Sequence, residues 1–414
     1  MARGGRAQRA QPAQELIWKD SVQLPQELID TIIDEFDVSL THINYTSIFP
    51  DRHTLRSCAL VSRAFVRPSQ KKLFSIVSIR SADWNQSPDE RMRLFSKLLA
   101  SRPHIAQYVR TLNLGYRCAR SKSLDHILLS LPNLNTVNLY PWRDSHSRNW
   151  QTTQEFPMHH RDSFVVVFSL SSLRSLALRD HRFTNPVALL SMLGESTGLE
   201  ELVLQNIEFA NLEVAARPKN PAAIPRLVLK SLKLIRMLTT SVDALLDASS
   251  PFNLSRLHSL CCDRYHPSLF QATRSTVRDL TLIADSRYKS VSGVYLDGID
   301  QVFPGVLQNL SLNVDDLVSL SSFIRRLKNF NTAIALKRIS ITIYLNFPDF
   351  GAPFWQDIHS LLSSAPAVEE ISFNLRRNHA HGVQSIRAYL PVINAKGILK
   401  IALLDGDLRI PELR

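Results

Sequence analysis

One recurring pattern limits what this chain can fold into. The motif apolar-x-x-apolar-x-apolar returns along most of the sequence, first as Val109/Leu112/Leu114, Leu134/Val137/Leu139, Leu173/Leu176/Leu178 and Leu199/Leu202/Leu204. It continues as Leu229/Leu232/Leu234, Leu257/Leu260/Cys262, Val277/Leu280/Leu282 and Leu307/Leu310/Leu312. The last copies are Leu336/Ile339/Ile341, Val368/Ile371/Phe373 and Ile398/Ile401/Leu403. Most copies begin about 25 to 32 residues after the one before, with a long step after Leu134 and a short one after Leu257. Alternate residues of a strand point to opposite faces, so the fourth and sixth positions of each copy enter one core together. Helical periodicity lies between the copies, at residues 124–131, 186–193, 242–247, 317–327, 355–363 and 383–390. Strand then helix at a fixed period predicts a parallel sheet backed by helices. A single copy buries two or three aliphatic side chains at roughly 1.5–3 kcal/mol each, too little to offset the ordering of its own backbone. Stacked copies share their faces, so the array is expected to be a solenoid whose ends need covers. The helical N-terminal segment and the polar residues 405–414 are placed to supply them.

The array resembles leucine-rich repeats of long period, without the Asn that regularly follows the strand; Asn206 comes nearest and is one position early. Irregular curvature is expected. Strand positions facing away from the helices are mostly small and polar: Thr111, Asn113, Asn138, Ser175, Ala177, Glu201, Lys233, Ser259, Thr281, Ser311, Ser340 and Ser372. Such a face can be solvated or approached closely by another protein, with specificity at strand ends and in loops. The long step holds a polar segment, residues 140–163, containing Tyr140, Trp142, Trp150, Phe156, His159 and His160. Exposed aromatics of this kind anchor interfaces; folded back over the repeats, they would be core. The insert is expected to project from a loop edge. Tyr140, Trp142, Trp150, Arg179 and Lys233 are the candidate substrate-binding residues.

Ahead of the array lies a second informative stretch, residues 24–74. Pro25 suits the first turn of a helix, and Leu28, Ile29, Ile32, Ile33 and Phe36 recur at helical spacing. A second helix is readable from about Thr54, with Leu55, Cys58 and Ala59 on one side, and Pro68 can start a third carrying Leu73 and Phe74. Three short helices bury a small core that is marginal alone. Residues 75–79 then alternate as a short strand, and residues 88–100 read as an amphipathic helix.

The stretch resembles an F-box, most of all in fungal members of that family. The resemblance rests on Leu24-Pro25, on Cys58-Ala59-Leu60-Val61-Ser62-Arg63-Ala64-Phe65 and on Leu73-Phe74, with Phe65 where Trp is commoner and a long insert over residues 37–50. It implies an α/β protein: a three-helix F-box-like module followed by a leucine-rich-repeat-like α/β solenoid with a parallel sheet. The divisions are a basic tail at 1–19, the module at 20–80, a linker and capping helix at 81–104, and about eleven irregular repeats over 105–414. It further implies a substrate receptor of a cullin-RING ubiquitin ligase, cytoplasmic or nuclear, that is not itself an enzyme. Leu24, Pro25, Leu28, Ile32, Leu60, Val61 and Phe65 would face or support the small adaptor subunit, and the repeats would hold a protein substrate. The alternative is a repeat scaffold that recruits no ligase.

Other chemistry finds little support. The net charge of +12 favours acidic or phosphorylated partners, but no nucleic-acid motif accompanies it, so nucleic acid is not the expected partner. Four cysteines without CxxC spacing make neither a disulfide framework nor a zinc site. The longest apolar run, residues 164–170, has the length of a strand, far short of a membrane span. Gly194-Glu195-Ser196-Thr197-Gly198 spells a nucleophile elbow, yet a helix precedes it and a strand follows, the reverse of the order that motif needs. His159, His160, His379 and His381 lack companions at metal-ligand spacing, and with 12 glycines and no phosphate loop a nucleotide cofactor is not expected. No cofactor or metal is expected.

Overall fold

The computed structural model describes residues 24–36, 50–79, 88–116, 122–141, 153–212, 227–247, 250–284, 306–314, 324–325, 335–343, 352–364, 367–376 and 380–404. Every copy of the motif becomes a strand of one parallel sheet, and the strands lie side by side in chain order. In sequence they are β1 (Ile76–Ile79), β2 (Thr111–Tyr116), β3 (Thr136–Pro141), β4 (Ser175–Arg179), β5 (Glu201–Gln205) and β6 (Ser231–Ile235). They continue as β7 (Ser259–Cys262), β8 (Asp279–Ala284), β9 (Asn309–Val314), β10 (Arg338–Ile343), β11 (Glu370–Arg376) and β12 (Leu399–Leu404). The sheet thus has 12 strands, one more than the motif copies, because β1 adds itself in front by pairing with β2.

Register follows the motif. Leu112, Val137, Leu176, Leu202 and Leu232 form one row across five strands, which Leu260, Leu280, Leu310, Ile339 and Ile371 extend. The last pair departs from the expected frame: Ile371 pairs with Leu399 and Phe373 with Ile401. Ile398/Ile401/Leu403 is therefore two residues out of step with its neighbour. Since the side-chain period of a strand is two, such a slip keeps the same face toward the helices.

The helices of the array are α4 (Pro88–Ser101), α5 (Lys122–Ser130), α6 (Arg161–Phe168), α7 (Pro186–Leu193), α8 (Thr239–Leu245), α9 (Pro267–Thr273), α10 (Ala352–Ser364), α11 (Ala380–Tyr389) and α12 (Pro391–Ala395), numbered after the three that precede β1. Their inner residues and the strand rows form one continuous core, from Met92 and Phe95 on α4 to Ile386 on α11. The short apolar run at 164–170 is helical through Phe168: Phe164, Val167 and Phe168 fall at i, i+3 and i+4 on the buried face of α6. Burial overrides the strand preference of its three valines. Most of the helix expected at 317–327 lies outside the described residues, as do residues 405–414.

The helices α1 (Gln26–Asp34), α2 (Pro50–Val61) and α3 (Arg63–Ser75) precede the sheet. Pro68 does not start α3 but sits inside it. Proline has no N–H to offer the carbonyl four residues back, and Ala64 O is met instead by Gln26 Nε2 at 3.5 Å, which brings α1 against α3. Ile29, Ile33 and Leu55 make a small core with Phe36, Cys58, Phe65, Leu73 and Ile76 around it. The join to the sheet has no spacer. The last residue of α3, Ser75, accepts from Arg110 N at 2.9 Å, and Arg52 Nη2 donates to Ile76 O at 3.2 Å.

The insert in the long step does not simply project. Of its described residues, 153–160 run along the flank of the sheet, where Gln154–Glu155 pairs with His181–Phe183, which pairs in turn with Glu208–Phe209. Phe156 is buried, stacked on Phe183 with ring centroids 4.7 Å apart and tilted against Phe164 at 5.0 Å.

Gly198 lies in a turn with no room for a side chain. A Cβ there would lie 2.9 Å from both Leu173 O and Ser171 O. Backbone oxygens in neighbouring repeats cannot retreat cheaply, so Gly198→Ala is expected to cost about 1–3 kcal/mol by overpacking, read as a lower urea midpoint at unchanged secondary structure.

Candidate functional site

On α1 the apolar stripe divides lengthwise. Ile29 and Ile33 turn inward, whereas Leu28 is 51% exposed and Leu24 and Ile32 are exposed beside it. At the end of α2, Leu60 is 87% and Val61 75% exposed, and Pro25 is exposed too. Because the Gln26–Ala64 contact sets the first turn of α1 against the α2–α3 junction, Leu24 and Leu28 stand toward the same end of the helical unit as Leu60 and Val61, with Ile32 a turn further along α1. None of them contributes to the Ile29/Ile33/Leu55 core. Phe65, which was expected to face or support the adaptor, is half-buried against that core.

Of the substrate candidates, the structure brings two together. Arg179 on β4 lies over the ring of Tyr140 on β3, with its guanidinium carbon 5.2 Å from the centroid. Lys233, half-buried on β6, shares their face without joining them. Trp142 and Trp150 lie outside the described residues. The face away from the helices is less accessible than its small polar side chains led one to expect. On it Ala177, Gln205, Ile235, Cys261 and Ile283 are each at most 3% exposed. Ile235, Cys261 and Ile283 are apolar or nearly so, a feature the motif does not encode.

Strand exits hold the polar residues that sequence reasoning missed. Asp180, Asn206 and Arg236 directly follow β4, β5 and β6, and each has positive φ, at 61°, 52° and 57°. Their backbones are tied across repeats: Asp180 N donates to Gln205 O at 2.8 Å and Asn206 N to Ile235 O at 2.7 Å. Asn206 Nδ2 donates to Asp180 Oδ1 at 2.8 Å, and Arg236 N to Asp263 Oδ2 at 2.8 Å. Asn and Asp adopt the left-handed region most readily after Gly; Arg236 is held there by the Asp263 carboxylate. The signal was a polar residue just past each strand, and a search for Asn alone finds one of the three. Burial pushes the Asp263 carboxyl up, against the pull of Arg264 and the Arg236 N–H. Nearby, His266 is fully buried with neither ring nitrogen hydrogen-bonded among the described residues. Burial first, then Arg264, pushes its pKa down to about 4, with Asp243 opposing.

The geometry disfavours catalysis where the sequence hinted at it. Ser196 lies in the turn between α7 and β5 and is buried, with no hydrogen-bond partner for its hydroxyl among the described residues. A nucleophile must instead be open to substrate and bonded to a base. His160 is buried with Nδ1 2.8 Å from Asp125 Oδ1, and Ser163 Oγ donates to the same oxygen at 2.5 Å. The serine and histidine both spend their bonds on the aspartate, which fastens the start of α6 to α5 rather than priming a hydroxyl. Among the described residues no group of His, Cys, Asp and Glu could hold a metal ion, and no helix is long and apolar enough to cross a membrane. His379 lies outside the described residues.

Known proteins add little to this picture. No family model matches the chain, and no curated protein sequence does either. Among solved structures, a protein from Bacteroides fragilis is similar at 13% identity and a TM-score of 0.39, covering 78% of this chain and 85% of that one.

Proposed function

We propose that this chain is a non-catalytic substrate receptor of a cullin-RING ubiquitin ligase. Its front helices dock on the small adaptor subunit, and its repeats hold a protein to be ubiquitinated, in the cytoplasm or nucleus. The observation that supports this reading is the exposure of the apolar side chains Leu24, Leu28, Ile32, Leu60 and Val61, which the chain's own core leaves uncovered. Those are positions where the F-box resemblance puts adaptor contacts. Burying large aliphatic side chains on a partner is worth about 1.5–3 kcal/mol apiece before the costs of association.

The test is pull-down and titration with the adaptor. Leu28→Asp and Leu60→Asp are expected to weaken adaptor binding by about tenfold or more each, as central apolar contacts do. Their thermal unfolding should match that of the parent, since both side chains are exposed. No adaptor binding by the parent chain would leave the repeat scaffold without ligase recruitment as the better reading, and undiminished binding in both variants would take the docking surface away from these side chains.

A further inference from the structure

Along the N-terminal rim of the sheet, one carbonyl per repeat accepts from two consecutive N–H groups of the next. Lys230 O accepts from His258 N at 2.9 Å and Ser259 N at 3.1 Å, and His258 O from Arg278 N and Asp279 N, both at 2.9 Å. The residues bearing these carbonyls stand in single file, one per strand, about 4.8 Å apart. Along much of the file opposite charges meet. Glu200 sits between Arg174 at 4.0 Å and Lys230 at 2.8 Å, and Lys337 faces Glu369 at 3.8 Å. One residue further into the strands, Lys400 meets Glu370 at 2.7 Å.

The alternation fails at β7 and β8. Lys230, His258 and Arg278 occupy three consecutive steps, and Arg256 and Arg274 come from the turns leading into these strands. All five are exposed. Asp279 adjoins Arg278, but its carboxylate accepts from Asn309 Nδ2. Among the described residues Arg256, Arg274 and Arg278 make no ion pair, although elsewhere in the same file the chain sets Glu200 between two cations and Glu369 beside one. Unit charges about 4 Å apart interact by about 1 kcal/mol even in water, so cations left without partners favour a ligand that brings the missing negative charge.

We propose that this part of the rim binds an extended acidic segment of a partner protein. The proposal rests on reading the repeats as the substrate-holding surface, and adds the class of the ligand and its place. Ala177, Gln205, Ile235, Cys261 and Ile283 close parts of the open face to solvent, whereas the cations of the rim are exposed. Half-buried Ser231 and Ser259 stand beside the file and offer hydroxyl donors to carboxylate or phosphate oxygens. Single-stranded nucleic acid would call for aromatic stacking platforms, and no Phe, Tyr or Trp occupies the file from Lys230 to Lys337 or the first strand position beside it.

Fluorescence anisotropy on the full chain tests this with three labelled probes: a dodecapeptide of alternating Glu and Ser, its phosphoserine version, and oligo-dT. The peptides are expected to bind, more weakly as salt rises. Arg256→Glu with Arg278→Glu should lower their affinity about tenfold or more, and Arg256→Gln with Arg278→Gln should lower it in the same sense if charge reversal disturbs folding. Arg387→Glu with Lys396→Glu, exposed residues on the C-terminal helices with an equal change of net charge, should have less than about a twofold effect. Equal losses in both charge-reversed pairs, or binding of oligo-dT without the peptides, would overturn the proposal. Preference for one peptide tells carboxylate from phosphate recognition. Adaptor pull-down on the same variants keeps the two readings apart: peptide binding without any adaptor binding sinks the ligase reading and leaves this one standing.

Discussion

Ile29→Asp is expected to unfold α1, α2 and α3 while β5 to β8 keep their hydrogen bonds, whereas Leu28→Asp, one residue away, leaves the whole chain folded. The difference is burial. Ile29 is 2% exposed and shares a core of only three buried side chains with Ile33 and Leu55. An unpaired carboxylate there costs about 3–5 kcal/mol, as much as so small a helical unit has to lose. At Leu28 the new charge reaches water, and surface substitutions of that kind stay within about 0.5 kcal/mol. Hydrogen exchange resolves the two: amides of residues 26–34 and 50–75 should lose protection in Ile29→Asp alone, and those of the central strands in neither. The physical basis is that repeats are stabilised chiefly by their neighbours. If Ile29→Asp melted like the parent, the helices would owe their order to something other than this core.

Acid is expected to weaken the protein through His266. Its pKa of about 4 lies below the ordinary histidine value of 6.5, so the unfolded chain takes up the proton first. Stability from this group is therefore complete above about pH 6.5 and declines as pH falls toward 4. The full loss is on the order of 3 kcal/mol. His266→Leu removes the titration and also two buried ring nitrogens that have no hydrogen bond among the described residues, groups that cost about 1–3 kcal/mol each when left unmade. The variant should be at least as stable as the parent at pH 7 and clearly more so at pH 5, by urea unfolding at both. A parallel loss in parent and variant between pH 7 and 5 would place the sensitivity elsewhere.

Much of the scaffold was legible because it rests on periodicity. The fourth and sixth motif positions locate every strand from β2 to β11 to within a residue or two, since each must bury the same two rows. Three features escaped, for separate reasons. The frame of β12 slipped by two because face, not register, is what alternation encodes. The helix α6 was hidden in a valine run whose conformation depends on its place between strands. The exits at Asp180, Asn206 and Arg236 were missed because three different residues do one backbone job, with Arg236 relying on a carboxylate from the next repeat. At the front, spacing identified the apolar stripe of α1, but which half turns inward depends on where α2 and α3 pack. Phe65 went to the inner side and Leu28 to the outer.

The direct passage of α3 into β1 leaves no swivel between the front of the molecule and its stack of strands. Anything gripped at a given rung is then held at a set reach from the front helices, advancing by about 4.8 Å with each strand. The number of rungs becomes a ruler. Inserting one whole repeat between β1 and the gripping rung would move the cargo outward by that step and leave the grip itself untouched.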